Sequence, residues 1–322
     1  MKDKLDRLDM QILSRLLNNC RESERQIGEG IGIASGTVNA RIRRMRRRGI
    51  ILDFVVRIDP PTLGHSTLYT VVLGQRMEEM LGHMRSMGEP FLVAPCVGGF
   101  AVCGVIVRDD VQEKIELAEK IDGMRVLSIF EPERSVSPRF TKTDMQIIRE
   151  LMINPREKID IIAKKTGLST KTVSRCIDRL HGDDGIHFTV DYDPTKIRGF
   201  ITHAIMIQVT GEAKPMFGKL AHMFSRNFLE VPFLMEKQIV LFLYSDDIYE
   251  MDETMQSIRE MPGVKSVDLF IARSTKYSQE WMLDNIRKAE TSPTLHLEQQ
   301  WAENTVPATS SAPRTFSNLR TF

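Results

Sequence analysis

The chain has 322 residues, of which 42% are apolar and 27% are charged. That length favours more than one domain, and that composition excludes a disordered or fibrous protein. The 44 basic and 43 acidic residues nearly balance, so the chain is not uniformly basic, although its charge is distributed unevenly. The four cysteines form neither a CxxC metal motif nor a disulfide framework, and we expect reduced, mostly buried thiols.

The sequence repeats itself at an offset of 135 residues. Between residues 9 and 45, 14 of 37 positions are identical to the position 135 residues later. The segment IDPPTLG (58–64) likewise matches YDPTKIRG (192–199). The duplication extends to about residue 289, and each half is itself composed of two parts.

The first part of each half predicts three helices and a strand. Apolar residues recur at helical spacing, and a short glycine-containing turn precedes the third helix. Ser35 and Ser169 are the expected N-caps of the two third helices, and Gly49 and Gly185 are their expected ends. An alternating run then predicts a strand of a wing. Two helices joined by a glycine turn, the second with a polar outer face, indicate a helix-turn-helix.

The second part of each half alternates strands and helices in the order βαββαβ, as in a ferredoxin-like unit. The segment 90–107 has 18 residues without a charge, but Pro95 and the pair Gly98-Gly99 favour two buried strands over a membrane span. We also expect the two sheets to bury each other, within one chain or by self-association of two chains, because helices cover one face of each. The apolar positions named for that contact are Leu68, Val71, Leu73, Ile205, Ile207 and Val209.

These patterns predict an α+β protein with two winged helix-turn-helix domains alternating with two ferredoxin-like βαββαβ domains. A tail rich in Ser, Thr and Pro follows, and we expect it to be disordered. The expected boundaries are 1–60 and 138–194 for the winged domains, 61–137 and 195–289 for the βαββαβ domains, and 290–322 for the tail.

The pattern LDxxDxxILxxLxxNxRxS…IGxxxGIxxxTVxxRIxxMxxxGII at 5–51 resembles the Lrp/AsnC (feast/famine) family of transcription regulators. Residues 143–186 resemble a looser copy. In that family a winged helix-turn-helix precedes a βαββαβ effector and dimerisation domain, so the resemblance covers roughly residues 5–280. It implies a cytoplasmic, nucleoid-associated regulator that binds specific double-stranded DNA, here as an internal pseudo-dimer.

The first recognition helix ends in RIRRMRRR (41–48), and guanidinium groups neutralise phosphates and bind guanine edges. Residues 1–60 contain 13 basic and 8 acidic residues, a net charge of +5, whereas 141–194 contain 9 of each. We therefore expect the second copy to bind DNA more weakly, and Asp178 to oppose it. Arg41, beside the buried stripe, is expected to form a structural salt bridge.

The predicted DNA contacts lie on the outer faces of the two recognition helices. In the first copy, base edges are expected at Ser35, Thr37, Asn39 and Arg43, and phosphates at Arg44, Arg46 and Arg47. In the second copy the equivalent places are taken by Ser169, Thr170, Lys171, Ser174 and Arg175.

The family resemblance also implies an effector site at a Gly-x-Tyr-Asp turn between the middle strands. Here the matching residues are Gly98, Gly99, Phe100 and Ala101, with alanine in place of the aspartate, and the second copy has no glycine turn. An ammonium group needs a carboxylate partner in a desolvated pocket. We therefore favour a hairpin turn and expect no tight response to amino acids.

Two other classes of protein fit parts of the pattern. Siroheme decarboxylases share the winged-helix and βαββαβ build, but they carry a His-Asn-Tyr type segment where this chain has VAPCVGGFAV. An interaction scaffold with relict helix-turn-helix folds would not retain DNA. Scattered histidines and the absence of P-loop or GxSxG motifs favour no metal, no cofactor and no enzymatic activity. The first residues lack the apolar run of a secretory signal.

Overall fold

The computed structural model describes residues 4–63, 65–73, 77–108, 111–119, 125–131, 140–182, 185–225 and 227–291. The α+β fold is confirmed: in each half, three helices and a strand precede a βαββαβ unit. The first half contains α1 (Arg7–Asn18), α2 (Glu24–Ile31), α3 (Ser35–Arg47), β1 (Ile51–Ile58), β2 (Ser66–Leu73), α4 (Met77–Met87), β3 (Glu89–Pro95), β4 (Phe100–Val107), α5 (Val111–Glu119) and β5 (Arg125–Phe130).

The second half repeats this order and then adds a short strand and a helix. Its elements are α6 (Lys142–Ile153), α7 (Ile159–Thr166), α8 (Thr170–His181), β6 (Ile186–Tyr192), β7 (Ile201–Val209), α9 (Ala213–Phe224), β8 (Phe228–Met235), β9 (Gln238–Ser245), α10 (Ile248–Arg259), β10 (Val264–Phe270), β11 (Lys276–Tyr277) and α11 (Glu280–Thr291). The sequence does not predict the last two. Residues 290 and 291 end α11, and the rest of the expected disordered tail lies outside the described residues.

One end of each recognition helix, α3 and α8, differs from the prediction, whereas Gly49 follows the C-cap of α3 with a left-handed φ of 67°, as expected. Ser35 is the first residue of α3, and its N-cap is Ala34, which has no side-chain oxygen to offer. Ser169 does cap α8, since its hydroxyl accepts the Thr172 N–H at 3.1 Å. The C-cap of α8 is Gly182 and not Gly185. The predicted cap of α3 is therefore one position too late in the chain.

The strands expected to form two separate wings pair with each other. β1 and β6 form a two-stranded antiparallel sheet, with Phe54 opposite Val190 and Val56 opposite Phe188. We call this sheet the inter-module ribbon. Each helix-turn-helix contributes one strand to the described part of the chain, and the backbone groups of a lone strand require a partner. The ribbon therefore joins the two helix-turn-helix modules directly.

Each βαββαβ unit forms an antiparallel sheet. The second sheet is ordered β10-β7-β9-β8, and the first is ordered β5-β2-β4-β3 with β11 added beside β3. The uncharged segment 90–107 forms β3 and β4, as predicted. Within the described ranges, no helix combines the length and the apolar character needed to cross a membrane.

The faces of the sheets differ from the prediction. Leu68 lies in the core under the helices of the first sheet, as do Ile205, Ile207 and Val209 in the second. Val71, three residues from Leu68, points to the opposite face and is buried. Because side chains alternate along a strand, the predicted set mixes the two faces. The two sheets do approach each other, since the centres of the Tyr69 ring on β2 and the Phe233 ring on β8 are 5.7 Å apart.

Candidate nucleic-acid interface

The recognition helix α3 is held against the module by a tight turn. Gly32 ends α2 in the left-handed conformation with φ of 76°, which favours glycine. A side chain on Gly28 would lie 2.4 Å from the Ile33 carbonyl oxygen, so the close approach of α3 requires glycine there too. The inner face of α3 then buries Val38 and Met45.

The outer face of α3 is exposed along its whole length. Ser35, Thr37, Asn39 and Arg43, the residues predicted to reach base edges, all lie on it. Gly36 and Ala40 are also exposed on this face, and neither has a long side chain that would cover the others. The remaining exposed residues toward the end of the helix are Arg46 and Arg47.

Two arginines of α3 turn back to acidic residues at the start of α1. Arg41 donates to Asp6 and Asp9 at 2.8 Å, so the expected structural salt bridge is confirmed. Arg44 donates to both carboxylate oxygens of Asp9, at 2.7 and 2.5 Å, and the Asp9 side chain is fully buried. The charge of Arg44 is therefore compensated within the protein, which the sequence does not predict.

Arg46 lies beside the ribbon. Its guanidinium carbon is 5.5 Å from the centre of the Phe54 ring on β1, within the range of a cation–π contact. Arg156 from the second module lies over the same ring at 5.0 Å. Phe54 therefore connects α3 with the second module.

The second recognition helix presents a different surface. Thr170, Lys171 and Arg175 are exposed, as predicted DNA contacts must be. Ser174 is half-buried, and its hydroxyl lies 3.5 Å from a carboxylate oxygen of Asp178. Asp178 is exposed and occupies the place that Arg43 has in the first copy. The outer face of α8 therefore carries both signs of charge.

The pairing of a buried aspartate with an arginine of α3 recurs at α8. Asp144 accepts a hydrogen bond from Arg179 and another from the Cys176 thiol at 3.1 Å. Burial alone would raise the pKa of Asp144, but these donors and the N–H of Thr141 hold that pKa below its usual value. Burial and the neighbouring Asp144 raise the pKa of the Cys176 thiol to about 12. The identity of Asp9 with Asp144 and of Arg44 with Arg179 in the repeat is the sequence signal for these pairs.

The turn at which the family resemblance implies an effector site forms a hairpin connection. Gly98 and Gly99 have φ of 86° and 84° between β3 and β4, and the Cys96 N–H donates to the Phe100 carbonyl at 2.7 Å. The Phe100 ring packs edge-on against Phe270 at 6.4 Å. Both glycines are explained by the left-handed backbone of a tight turn.

Two family models match the chain. The winged helix-turn-helix DNA-binding model matches residues 5–51, and the AsnC-type helix-turn-helix domain matches residues 140–181. The HTH-type transcriptional regulator Ptr1 of Methanocaldococcus jannaschii is 37% identical over 123 residues, which are 36% of this chain and 82% of Ptr1. The HTH-type transcriptional regulator AldR of Mycolicibacterium smegmatis is 29% identical over 147 residues, 42% of this chain and 86% of AldR.

Two solved structures align with the chain at low similarity. The siroheme decarboxylase NirDL aligns with 88% of this chain and all of its own, at a TM-score of 0.45 and 11% identity. E. coli AsnC aligns with 42% of this chain and 97% of its own, at a TM-score of 0.29 and 18% identity. At these TM-scores neither likeness bears on the activity of this chain.

An exposed recognition helix that carries arginines within a winged helix-turn-helix, present in two copies, defines a transcription regulator that binds double-stranded DNA. The similarity to Ptr1, which extends over most of the length of that regulator, identifies the family of transcription regulators to which the chain belongs. The chain belongs to the Lrp/AsnC family.

Proposed function

We propose that the chain binds two half-sites of double-stranded DNA as an internal pseudo-dimer, with α3 on one half-site and α8 on the other. The observation that carries this proposal is the difference between the exposed faces. Where α3 presents Arg43 and Arg47, the equivalent positions of the second copy are Asp178 on α8 and its C-cap Gly182. Guanidinium groups release counterions from phosphates, whereas a carboxylate is repelled by them. The operator is therefore an imperfect palindrome with one dominant half-site.

The individual roles follow from exposure. Base edges are contacted by Ser35, Thr37, Asn39 and Arg43, and phosphates by Arg46 and Arg47. Arg44 contributes by holding α3 on Asp9. On α8, the contacts that we propose are Thr170, Lys171 and Arg175.

Paired arginine and lysine substitutions test the division of labour. Arg43→Ala combined with Arg47→Ala is expected to weaken binding strongly, through the lost base contact of Arg43, and to lower the slope of log K against log salt by roughly one, for the one phosphate that Arg47 no longer neutralises. Lys171→Ala combined with Arg175→Ala removes the same charge from α8 and is expected to cost less. Gel-shift titrations at several salt concentrations measure both.

The outcomes are clearly separated. An equal decrease in affinity from the two pairs would contradict the dominance of α3. Salt-insensitive behaviour of the unmodified protein, without retention of DNA, would instead favour an interaction scaffold. A long and perfectly symmetric operator recovered by in vitro selection would favour a homo-oligomer in which α3 alone contacts DNA.

We propose the divisions 1–60, 61–137, 138–194 and 195–289 as domains, with the two βαββαβ sheets pairing inside one chain. Self-association of further copies through these sheets is not needed to place two recognition helices on DNA. We propose no enzymatic activity and no amino-acid effector at Gly98 and Gly99. A regulator that binds chromosomal DNA acts at the nucleoid, in the cytoplasm.

A further inference from the structure

The two helix-turn-helix modules contact each other through a pair of arginines at the same position of the repeat. Arg21 follows α1 and reaches the second module, where its guanidinium donates to the carbonyl of Pro155 and, at 3.1 Å, to that of Glu157. These carbonyls lie in the turn between α6 and α7. A guanidinium holds two acceptors in a fixed planar arrangement, which a flexible ammonium group does not.

Arg156 makes the reciprocal contact. It follows α6, and its guanidinium donates to the Glu22 carbonyl at 3.2 Å and to the Glu24 carboxylate at 3.0 Å. Arg21 and Arg156 are separated by the repeat offset of 135 residues. Each module thus donates hydrogen bonds to the other from the equivalent arginine, as in the self-complementary contacts of two-fold symmetric dimers. We call Arg21, Arg156 and their acceptors the arginine clasp.

Both arginines also lie over aromatic rings of the inter-module ribbon. Arg21 is 5.9 Å from the centre of the Phe188 ring, and Arg156 is 5.0 Å from that of Phe54. The Cys20 N–H donates to the Phe188 carbonyl at 2.8 Å, which ties the end of α1 to β6. The clasp therefore lies directly on the ribbon.

The same rings contact the ends of the recognition helices. Arg46, near the end of α3, lies 5.5 Å from the centre of the Phe54 ring. His181, the last residue of α8, lies 6.1 Å from the Phe188 ring, and its Nε2 is 2.5 Å from the Asn19 amide nitrogen. Each recognition helix is thus connected through one ring to the clasp arginine of the other module.

We propose that the arginine clasp sets the distance and orientation between the two recognition helices, and thereby selects one spacing between the half-sites. Arg21 and Arg156 are positioning residues in this role. The inference rests on the proposed function, because it requires that both helices engage DNA. Recognition helices in a fixed relation fit half-sites at one separation, and inserted base pairs both lengthen and rotate the site.

The test compares spacing profiles of the full chain. An operator recovered by in vitro selection is lengthened between its half-sites by about half a helical turn (~5 bp) and by about one turn. The protein with both arginines is expected to decrease in affinity by about tenfold or more at half a turn, because the second half-site no longer binds. In the double variant Arg21→Lys and Arg156→Lys, which retains the charge without the planar fork, the decrease is expected to shrink to within about threefold.

Controls separate positioning from charge and from stability. A duplex containing only the half-site of α3 is expected to bind both proteins equally, because the clasp does not lie on the exposed face of α3. Arg25→Ala removes an exposed guanidinium from the same module and is expected to leave the spacing profile unchanged. The double variant Arg21→Ala and Arg156→Ala is expected to reproduce the effect of the lysine variant wherever thermal denaturation shows that it is folded.

A lysine variant with an unchanged spacing profile would overturn the proposal, even with a lowered melting temperature, because the clasp would then be only structural. If the unmodified protein binds equally well with and without its second half-site, the proposed function itself fails. These two failures are distinguishable because the second appears without any substitution.

Discussion

Asp9 and Asp144 occupy equivalent positions in the repeat, and each holds an arginine of a recognition helix. Asp144 is almost completely buried and accepts from the Thr141 hydroxyl at 2.8 Å as well as from Cys176 and Arg179. Its lowered pKa means that folding favours the ionised form. This contribution to stability is present above the ordinary carboxyl pKa near 3.8 and disappears as the pH falls through the lowered value.

Asp144→Asn is therefore expected to destabilise the protein by about 1.5–3 kcal/mol at neutral pH, the range for hydrogen bonds to charged groups. The difference in free energy of unfolding from the unmodified protein should narrow as the pH falls below about 4. Urea denaturation at pH values from about 7 to about 3 measures it. The exposed Asp178→Asn is the matched control and should be nearly neutral. A gap that stays constant with pH would show that the Asp144 carboxylate is not the source of the effect.

At the scale of elements, the recognition helices differ in their first turn. The Ser169 hydroxyl accepts a backbone N–H of α8, whereas Ala34 leaves the corresponding donors of α3 without a side-chain cap. Ser169→Ala is therefore expected to cost about 1 kcal/mol of stability. Ala34→Ser is expected to stabilise by a similar amount. Thermal denaturation monitored by circular dichroism compares them.

Ser35→Ala is the control for these substitutions. Ser35 lies inside α3 and caps nothing, so its removal should change stability by no more than about 0.5 kcal/mol. Equal destabilisation by Ser35→Ala and Ser169→Ala would contradict the assigned caps. A decrease in DNA affinity from Ser35→Ala without a decrease in stability would agree with a base contact.

At the scale of the whole molecule, the end of the second half closes over the first. β11 pairs with β3, and α11 places Trp281, Met282 and Ile286 in the core that includes Phe91. Trp281 is 2% exposed and its ring lies 6.5 Å from that of Phe91. The two halves therefore share one core and are expected to unfold together.

Trp281→Ala is expected to lower the free energy of unfolding by about 3–5 kcal/mol, as for other large aromatic residues removed from a core. Because the core is shared, this decrease should shift a single urea transition. Tyr249→Ala is the control, since this aromatic side chain is 74% exposed and should change stability by no more than about 0.5 kcal/mol. Two separate transitions in the unmodified protein would show that the halves fold independently.

The features that depend on local chemistry can be predicted from the order of residues. Helical spacing, the Ser169 cap and the glycine turns act within a few residues, so the helix-turn-helix modules and the exposed face of α3 were predictable. The repeat identified both copies. The assignment of Ser35 as the N-cap is wrong because the cap is the residue with the extended backbone conformation. That residue is Ala34, and the sequence does not show which of the two neighbours adopts this conformation.

The contacts between segments that are distant in the chain depend on the complete fold. The alternating pattern of β1 and β6 predicts strands, but it does not specify that they pair with each other, because any strand edge offers the same backbone donors and acceptors. β11 is too short to show a period. The acceptors of Arg21 are backbone carbonyls. Because every residue possesses one, no residue type in the sequence indicates which carbonyls Arg21 contacts. The contact between the two DNA-binding modules is therefore seen in the structure and is not indicated by the sequence.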